Sequence, residues 1–177
     1  MGDGCTIAGL WKGLKDLYAI GFIDKLPRLI SAQAEGCCPL NRAIATGEDW
    51  YPMEENTLAD SIAVGVPRNA DKALMAIRES NGLVVNVSDE EIMAAQKLLG
   101  MTCGVFGEPA GVTGTAGVKK LCEQGVIGKD DTVVSVVTGN GLKDVANAIK
   151  ACGEPISIPS DMDLLVKAFA EKGIVVD

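Results

Sequence analysis

The stretch that decides the fold is Thr132-Val133-Val134-Ser135-Val136-Val137, followed at once by Thr138-Gly139-Asn140-Gly141. Six residues this rich in β-branched side chains read as a strand covered on both faces, the pattern of a parallel sheet under helices. The two glycines end the run, and residues 142–150 resume with helical spacing. The same alternation extends outward through the chain. Residues 29–34 and 83–87 are further strands, and residues 47–56, with Trp50, Tyr51 and Pro52, form a loop. Helical spacing covers residues 6–20, where Ile7, Leu10, Leu14 and Leu17 recur at intervals of three and four. It returns over residues 39–46, with Pro39 in the first turn, and over residues 70–80 and 110–123. Ser88-Asp89-Glu90-Glu91 is a capping box opening a helix that reaches about Leu99. Ser160 caps a last helix bearing Leu164, Leu165, Ala168 and Phe169, and residues 174–176 close the chain as a strand. Strands alternating with helices predict an α/β fold, a three-layer open parallel sheet with helices on both faces, as a single domain over residues 1–177.

Composition narrows the function. The 177 residues are 47% apolar and 23% charged, enough for a packed core. A formal charge of -8 argues against nucleic-acid backbones and anionic membranes as partners, and aromatics at 4% argue against base stacking. No apolar run reaches the length of a membrane span. Met1-Gly2-Asp3-Gly4 has no basic stretch followed by an apolar one, so no secretion signal is expected. The histidine count is 0, which removes His bases, Ser-His and Cys-His nucleophile pairs and His metal ligands together. The six cysteines form no Cys-x-x-Cys pair, so no metal site is expected, and reduced thiols in a cytoplasmic protein are the natural reading. Adjacent Cys37 and Cys38 read as small packing residues.

Three junctions carry residues suited to chemistry. Gly2-Asp3-Gly4-Cys5-Thr6 precedes the first helix, where glycines let backbone amides approach a phosphate at a helix N-terminus. An ordinary Gly-containing helix start fits the same five residues, and Asp3 would repel an anion unless turned away. Glu108, before Pro109 at a helix start, reads either as a complement to the helix dipole or as an acid facing a ligand. Thr138, between the strand and Gly139-Asn140-Gly141, reads as a presented hydroxyl or as part of a tight turn.

In their order along the chain, the Gly-rich loop, Gln33-Ala34-Glu35-Gly36, Ser88-Asp89-Glu90-Glu91-Ile92, Glu108-Pro109-Ala110 and Thr138-Gly139-Asn140-Gly141-Leu142-Lys143-Asp144 resemble threonine synthase. More broadly the chain is similar to the tryptophan synthase β-subunit family of fold type II pyridoxal-phosphate enzymes. The resemblance covers nearly the whole chain but only about the C-terminal half of such an enzyme. It implies pyridoxal 5'-phosphate as cofactor, held at its phosphate by Gly2, Asp3, Gly4, Cys5 and Thr6. It implies Thr138 as the hydroxyl at the pyridine nitrogen, a neutral partner that tempers the electron sink, and Glu108 as an acid lining the pocket. The family's Schiff-base lysine belongs to the absent N-terminal half, so no catalytic residue is assigned here. Lys12, Lys15 and Lys143 do not match its position, and Met1 falls where the strand feeding the phosphate loop belongs.

The parent reaction implied is elimination from O-phosphohomoserine, followed by hydration to threonine and phosphate. Cys5 and Thr6 stand where the family has Gly and Asn, and Thr57-Leu58-Ala59-Asp60-Ser61-Ile62 is reminiscent of relatives of unsettled substrate. A threonine or serine dehydratase and a cysteate synthase-like enzyme therefore remain open, as does a non-catalytic phosphate- or nucleotide-binding module. Alone, the chain is expected to be inactive and to need a missing N-terminal half or partner chain. It is also expected to form a homo-oligomer through uncovered apolar surface.

Overall fold

The computed structural model describes residues 1–158 and 160–174. Two parallel strands, β1 (Ile30–Ala34) and β2 (Leu83–Val87), pair in register from Ile30 opposite Leu83 to Ala34 opposite Val87. Side chains alternate across a strand, so each face has its own chemistry. Ala32, Ala34, Val85 and Val87 form one face and bury against Ile92 and Ala95 of α4 (Asp89–Cys103) and Val112, Ala116 and Leu121 of α5 (Pro109–Glu123). The opposite face carries Ser31 and Gln33, met by α2 (Pro39–Thr46). Behind α2 lie α1 (Cys5–Ala19) and α3 (Ala70–Glu79), which share a core of Trp11, Leu29, Ala76 and Ile77 with Leu74 and Leu40 beside it. The expected parallel, three-layer α/β arrangement is present, built on two strands.

A polar face on a buried strand needs its hydrogen bonds met inside the protein. Asn41 of α2 supplies them. Its Nδ2 donates to Ser31 O (3.2 Å), Val85 O (3.0 Å) and Asn86 Oδ1 (2.7 Å), while its Oδ1 accepts from Ser31 Oγ (2.5 Å). Gln33 Oε1 accepts from the Asn41 amide at 2.8 Å. Cys37 and Cys38 are buried at the start of α2, and burial pushes both thiols up. That is the behaviour of packing residues.

Helix ends follow local chemistry. Ser88 and Glu91 close the expected box, with Glu91 N–H donating to Ser88 Oγ (3.2 Å) and Ser88 N–H donating to Glu91 Oε2 (2.7 Å). Burial works against ionisation of Glu91, but the Ser88 amide and Lys120 outweigh it and hold its carboxyl below the usual range. Lys120 also reaches Glu35, so one ammonium ties α5 to α4 and to the end of β1. α4 runs past Leu99 to Cys103, where Gly104 at φ 67° stops it.

Three expectations need correction. Residues 132–137 form no strand: Val134 is 85% and Val136 59% exposed, and the segment lies along α5, where Thr115 and Ser135 hydroxyls meet at 3.1 Å. β-branched composition supplies propensity, but a strand exists only by pairing, and no strand lies beside this one among the described residues. The helix expected over residues 142–150 is divided: a 3₁₀ turn (Gly141–Lys143) ends at Asp144, whose carboxylate then caps α6 (Val145–Cys152). Asp161, not Ser160, caps α7 (Met162–Glu171), accepting from Leu164 N–H at 3.0 Å. Of the closing strand expected over residues 174–176, Ile174 is not in a strand, and 175–176 lie outside the described residues.

The α-amino group of Met1 donates to Ala32 O at 2.6 Å, on the edge of β1 that β2 leaves open, while Gln33 Nε2 donates to Met1 O at 3.0 Å. The Met1 side chain is half-buried, but its amine is enclosed, and burial lowers the amine's pKa from 8.0 to about 5. Between those values the unfolded chain binds this proton and the folded chain does not, so stability climbs as pH rises from about 5 to 8. The span corresponds to about 4 kcal/mol. Urea denaturation across that range should show the climb, and acetylation of the amine should abolish it. Asn41→Leu, which leaves the Ser31, Val85 and Asn86 acceptors dry, should cost about 3 kcal/mol in the same assay.

Candidate functional site

The loop Gly2-Asp3-Gly4 enters α1 without any side-chain cap. Gly4 is the N-cap at φ 84°, and a Cβ there would fall 2.7 Å from Ala73 Cβ and 3.0 Å from Asn69 O. Glycine alone satisfies both the left-handed backbone and the close approach. The amides of Cys5, Thr6 and Ile7 meet no acceptor among the described residues; the first helical bond is Ala8 N–H to Gly4 O at 3.1 Å. Unpaired amides at the positive end of a helix dipole are donors for an anion. Asp3 does not oppose this, because its carboxylate accepts from the Arg68 amide at 3.0 Å and lies 4.0 Å from the Arg68 guanidinium. Cys5 and Thr6 are exposed at the mouth of this turn.

Glu108 and the turn that follows Thr138 meet in a second cluster. Glu108 is the N-cap of α5 and makes no capping hydrogen bond; Pro109 follows as the first helical residue. Glu108 N–H donates to Gly139 O at 2.9 Å, and Gly141 N–H donates to Phe106 O at 2.9 Å, so Gly107 and Asn140 form an antiparallel bridge. The Glu108 side chain, 7% exposed, pairs with Lys143 Nζ at 3.0 Å and packs on the Cα of Gly139, where a Cβ would lie 2.0 Å from its Oε1. Thr138 stands beside this contact, exposed, with its hydroxyl making no hydrogen bond among the described residues. A buried carboxylate, its ammonium partner and an unspent hydroxyl thus lie around one turn, Thr138–Lys143.

The structure brings Glu108 against Gly139, the residue after Thr138. No hydrogen bond or ion pair among the described residues joins Glu108 or Thr138 to Gly2–Thr6; the link is indirect. Gly2 lies against residues 61–64, and Leu58, Ile62 and Ala110 pack on the same core cluster as α5. Asp89 fastens this intervening stretch, accepting from Thr57 Oγ1 (2.6 Å) and Leu58 N–H (3.0 Å). Two contributors carry no signal in the sequence for their contacts here. Lys143, within the Thr138–Asp144 motif, pairs with Glu108, and Gln96, fully buried on α4, donates from Nε2 to Gly107 O at 2.8 Å. Nothing local marks Gln96, whose partner lies eleven positions away across a turn.

Comparison with known proteins gives the same direction. A family model described as pyridoxal-phosphate dependent enzyme matches residues 1–139. The threonine synthase of Methanosarcina acetivorans is 42% identical over 174 residues, which is 97% of this chain and 43% of that protein. The threonine synthase of Methanocaldococcus jannaschii is 43% identical over 173 residues, with 97% and 43% covered. Among solved structures, maize serine racemase aligns with a TM-score of 0.60 at 20% identity, over 85% of this chain and 44% of that one. The pyridoxal-phosphate-bound threonine synthase of Brucella melitensis aligns at 0.53 and 17% identity, over 82% and 37%. The chain therefore has the fold of the fold type II enzymes and spans less than half the length of these curated relatives.

The Glu108–Gly139 contact is directly testable. Gly139→Ala should destabilise by about 2 kcal/mol, because the methyl must displace a buried carboxylate. In a Glu108→Ala background that cost should largely vanish, giving a coupling of more than about 1 kcal/mol in a double-mutant cycle.

Proposed function

This chain belongs to the family of pyridoxal-phosphate dependent enzymes, and we propose that it is the cofactor-binding C-terminal part of a threonine synthase-like lyase. The observation that carries the reading is identity above 40% to two threonine synthases across 97% of the chain. The geometry fits the cofactor: the α1 terminus offers the unpaired amides of Cys5, Thr6 and Ile7 after a left-handed turn that Gly4 alone permits, and the Asp3 carboxylate in the same loop is engaged by Arg68.

In this reading the amides of Gly2–Thr6 hold the cofactor phosphate, and the free hydroxyl of Thr138 faces the pyridine nitrogen as a neutral partner. Glu108, kept in place by Lys143 and Gly139, lines the pocket as an anion. The chemistry that pyridoxal phosphate supplies when bound is an electron sink for charge developing on substrate carbon. This chain's share of the work is to bind and orient; the Schiff-base lysine and the substrate loop come from an N-terminal half or partner chain. The parent reaction is elimination of phosphate from O-phosphohomoserine and hydration to threonine, in a cytoplasmic homo-oligomer. The chain acts as one domain and is inactive alone.

Titration with pyridoxal 5'-phosphate, followed by absorbance and thermal shift, should show saturable binding. Gly4→Ala and Thr138→Val should each weaken it by about tenfold, a loss near 1.4 kcal/mol. Mixing with the complementary N-terminal portion of the Methanosarcina acetivorans enzyme should release phosphate from O-phosphohomoserine. Preference for a nucleotide, or binding indifferent to both substitutions, would defeat the proposal.

A further inference from the structure

We propose that Gln96 is a positioning residue that holds Glu108 and the Thr138 turn in register, an inference that rests on the function proposed above. The Gly107–Glu108 peptide is bonded at both ends. Its carbonyl accepts from Gln96 Nε2 at 2.8 Å, and its N–H donates to Gly139 O at 2.9 Å. A peptide unit is planar, so its C=O and N–H turn together. Fixing the oxygen from α4 fixes the direction of the N–H, and with it the carbonyl of Gly139, one residue from Thr138. The same rotation sets where the Glu108 side chain leaves the backbone, against Gly139 and toward Lys143 Nζ at 3.0 Å.

Packing alone does not account for an amide here. Gln96 is fully buried, and its Oε1 has no hydrogen-bond partner among the described residues. A leucine or methionine would occupy similar volume without leaving a buried acceptor unpaired, a cost that folded proteins seldom carry. Among the described residues, the one bond that the amide makes is the one to Gly107. The amide orientation follows from that bond, because the reversed amide would set two carbonyl oxygens against each other.

Amide hydrogen exchange by NMR on the full chain tests this without reference to cofactor. In Q96L, the Glu108 and Gly141 amides should lose protection by about tenfold, while those in the middle of α5 stay within about twofold of the unmodified chain. Q96E can donate to Gly107 O only when its carboxyl is protonated, and burial raises that pKa. Measured against Q96L at the same pH, which carries the same global loss of stability, protection of the Glu108 and Gly141 amides should therefore return in Q96E as pH is lowered to about 5. In the unmodified chain the Gln96 side-chain hydrogens should exchange slowly, a measurement that needs no variant to fold. Unchanged Glu108 and Gly141 amides in Q96L, loss spread evenly along α4 and α5, no return in Q96E, or fast Gln96 exchange each overturn the proposal. Titration of the same samples with pyridoxal 5'-phosphate separates the two readings. Selective exchange effects in a chain that takes up no cofactor would uphold the positioning role and defeat the proposed function.

Discussion

The fold hangs on a single buried amide. Asn41 projects from α2 onto the polar face of the sheet and bonds to backbone carbonyls of both strands, Ser31 and Val85, as well as to the Asn86 side chain. Two parallel strands are a small sheet, and parallel pairing gives no hairpin to fix its register. A helix bonded to both strands does that work here. Because α2 is tied to the strands, the core behind it, with Leu40, Ala43, Ala73 and Leu74, is placed as well. The apolar face is then free to be filled by α4 and α5, which carry Gln96 and Glu108.

Much of this was readable from residue order, for reasons that differ by element. Pro39–Thr46 announced itself through Pro at its start, Ser88–Glu91 through the reciprocal capping pattern, β1 as a short segment ending at Glu35-Gly36, and β2 through its Leu-Val-Val run after Asn81-Gly82. These signals are local, and local chemistry met them. The strongest β-pattern in the chain, residues 132–137, failed because pairing is not a property of the paired sequence. Residues 142–150 divided because the Asp144 carboxylate meets the Asn147 amide at 3.1 Å, a bond that outcompetes helical continuity. Ser160 and Asp161 both suit an N-cap, and a one-residue choice between them is below what spacing resolves.

The site shows the same division. Gly4 was legible because few residues tolerate a left-handed turn before a helix, and Glu108 because an acid before Pro109 marks a helix start. That Asp3 is bound by Arg68, 65 positions away, and that Glu108 rests on Gly139 are facts of tertiary approach. The first removes an electrostatic objection, and the second joins two motifs into one cluster. Gln96 had no signal at all, since a glutamine within an amphipathic helix reads as ordinary surface.

The exposed segment alongside α5 has a consequence for handling the protein. Proteases bind their substrates as extended strands, using the same backbone groups that a sheet would use. Residues 132–136 are exposed and lie in no helix or strand, so the chain should be nicked there before its helices are cut. The nicked halves would stay associated, because Gly139 and Gly141, beyond the cut, bond to Glu108 and Phe106 ahead of it. Cleavage would then register as two bands under denaturing conditions and as one particle in solution.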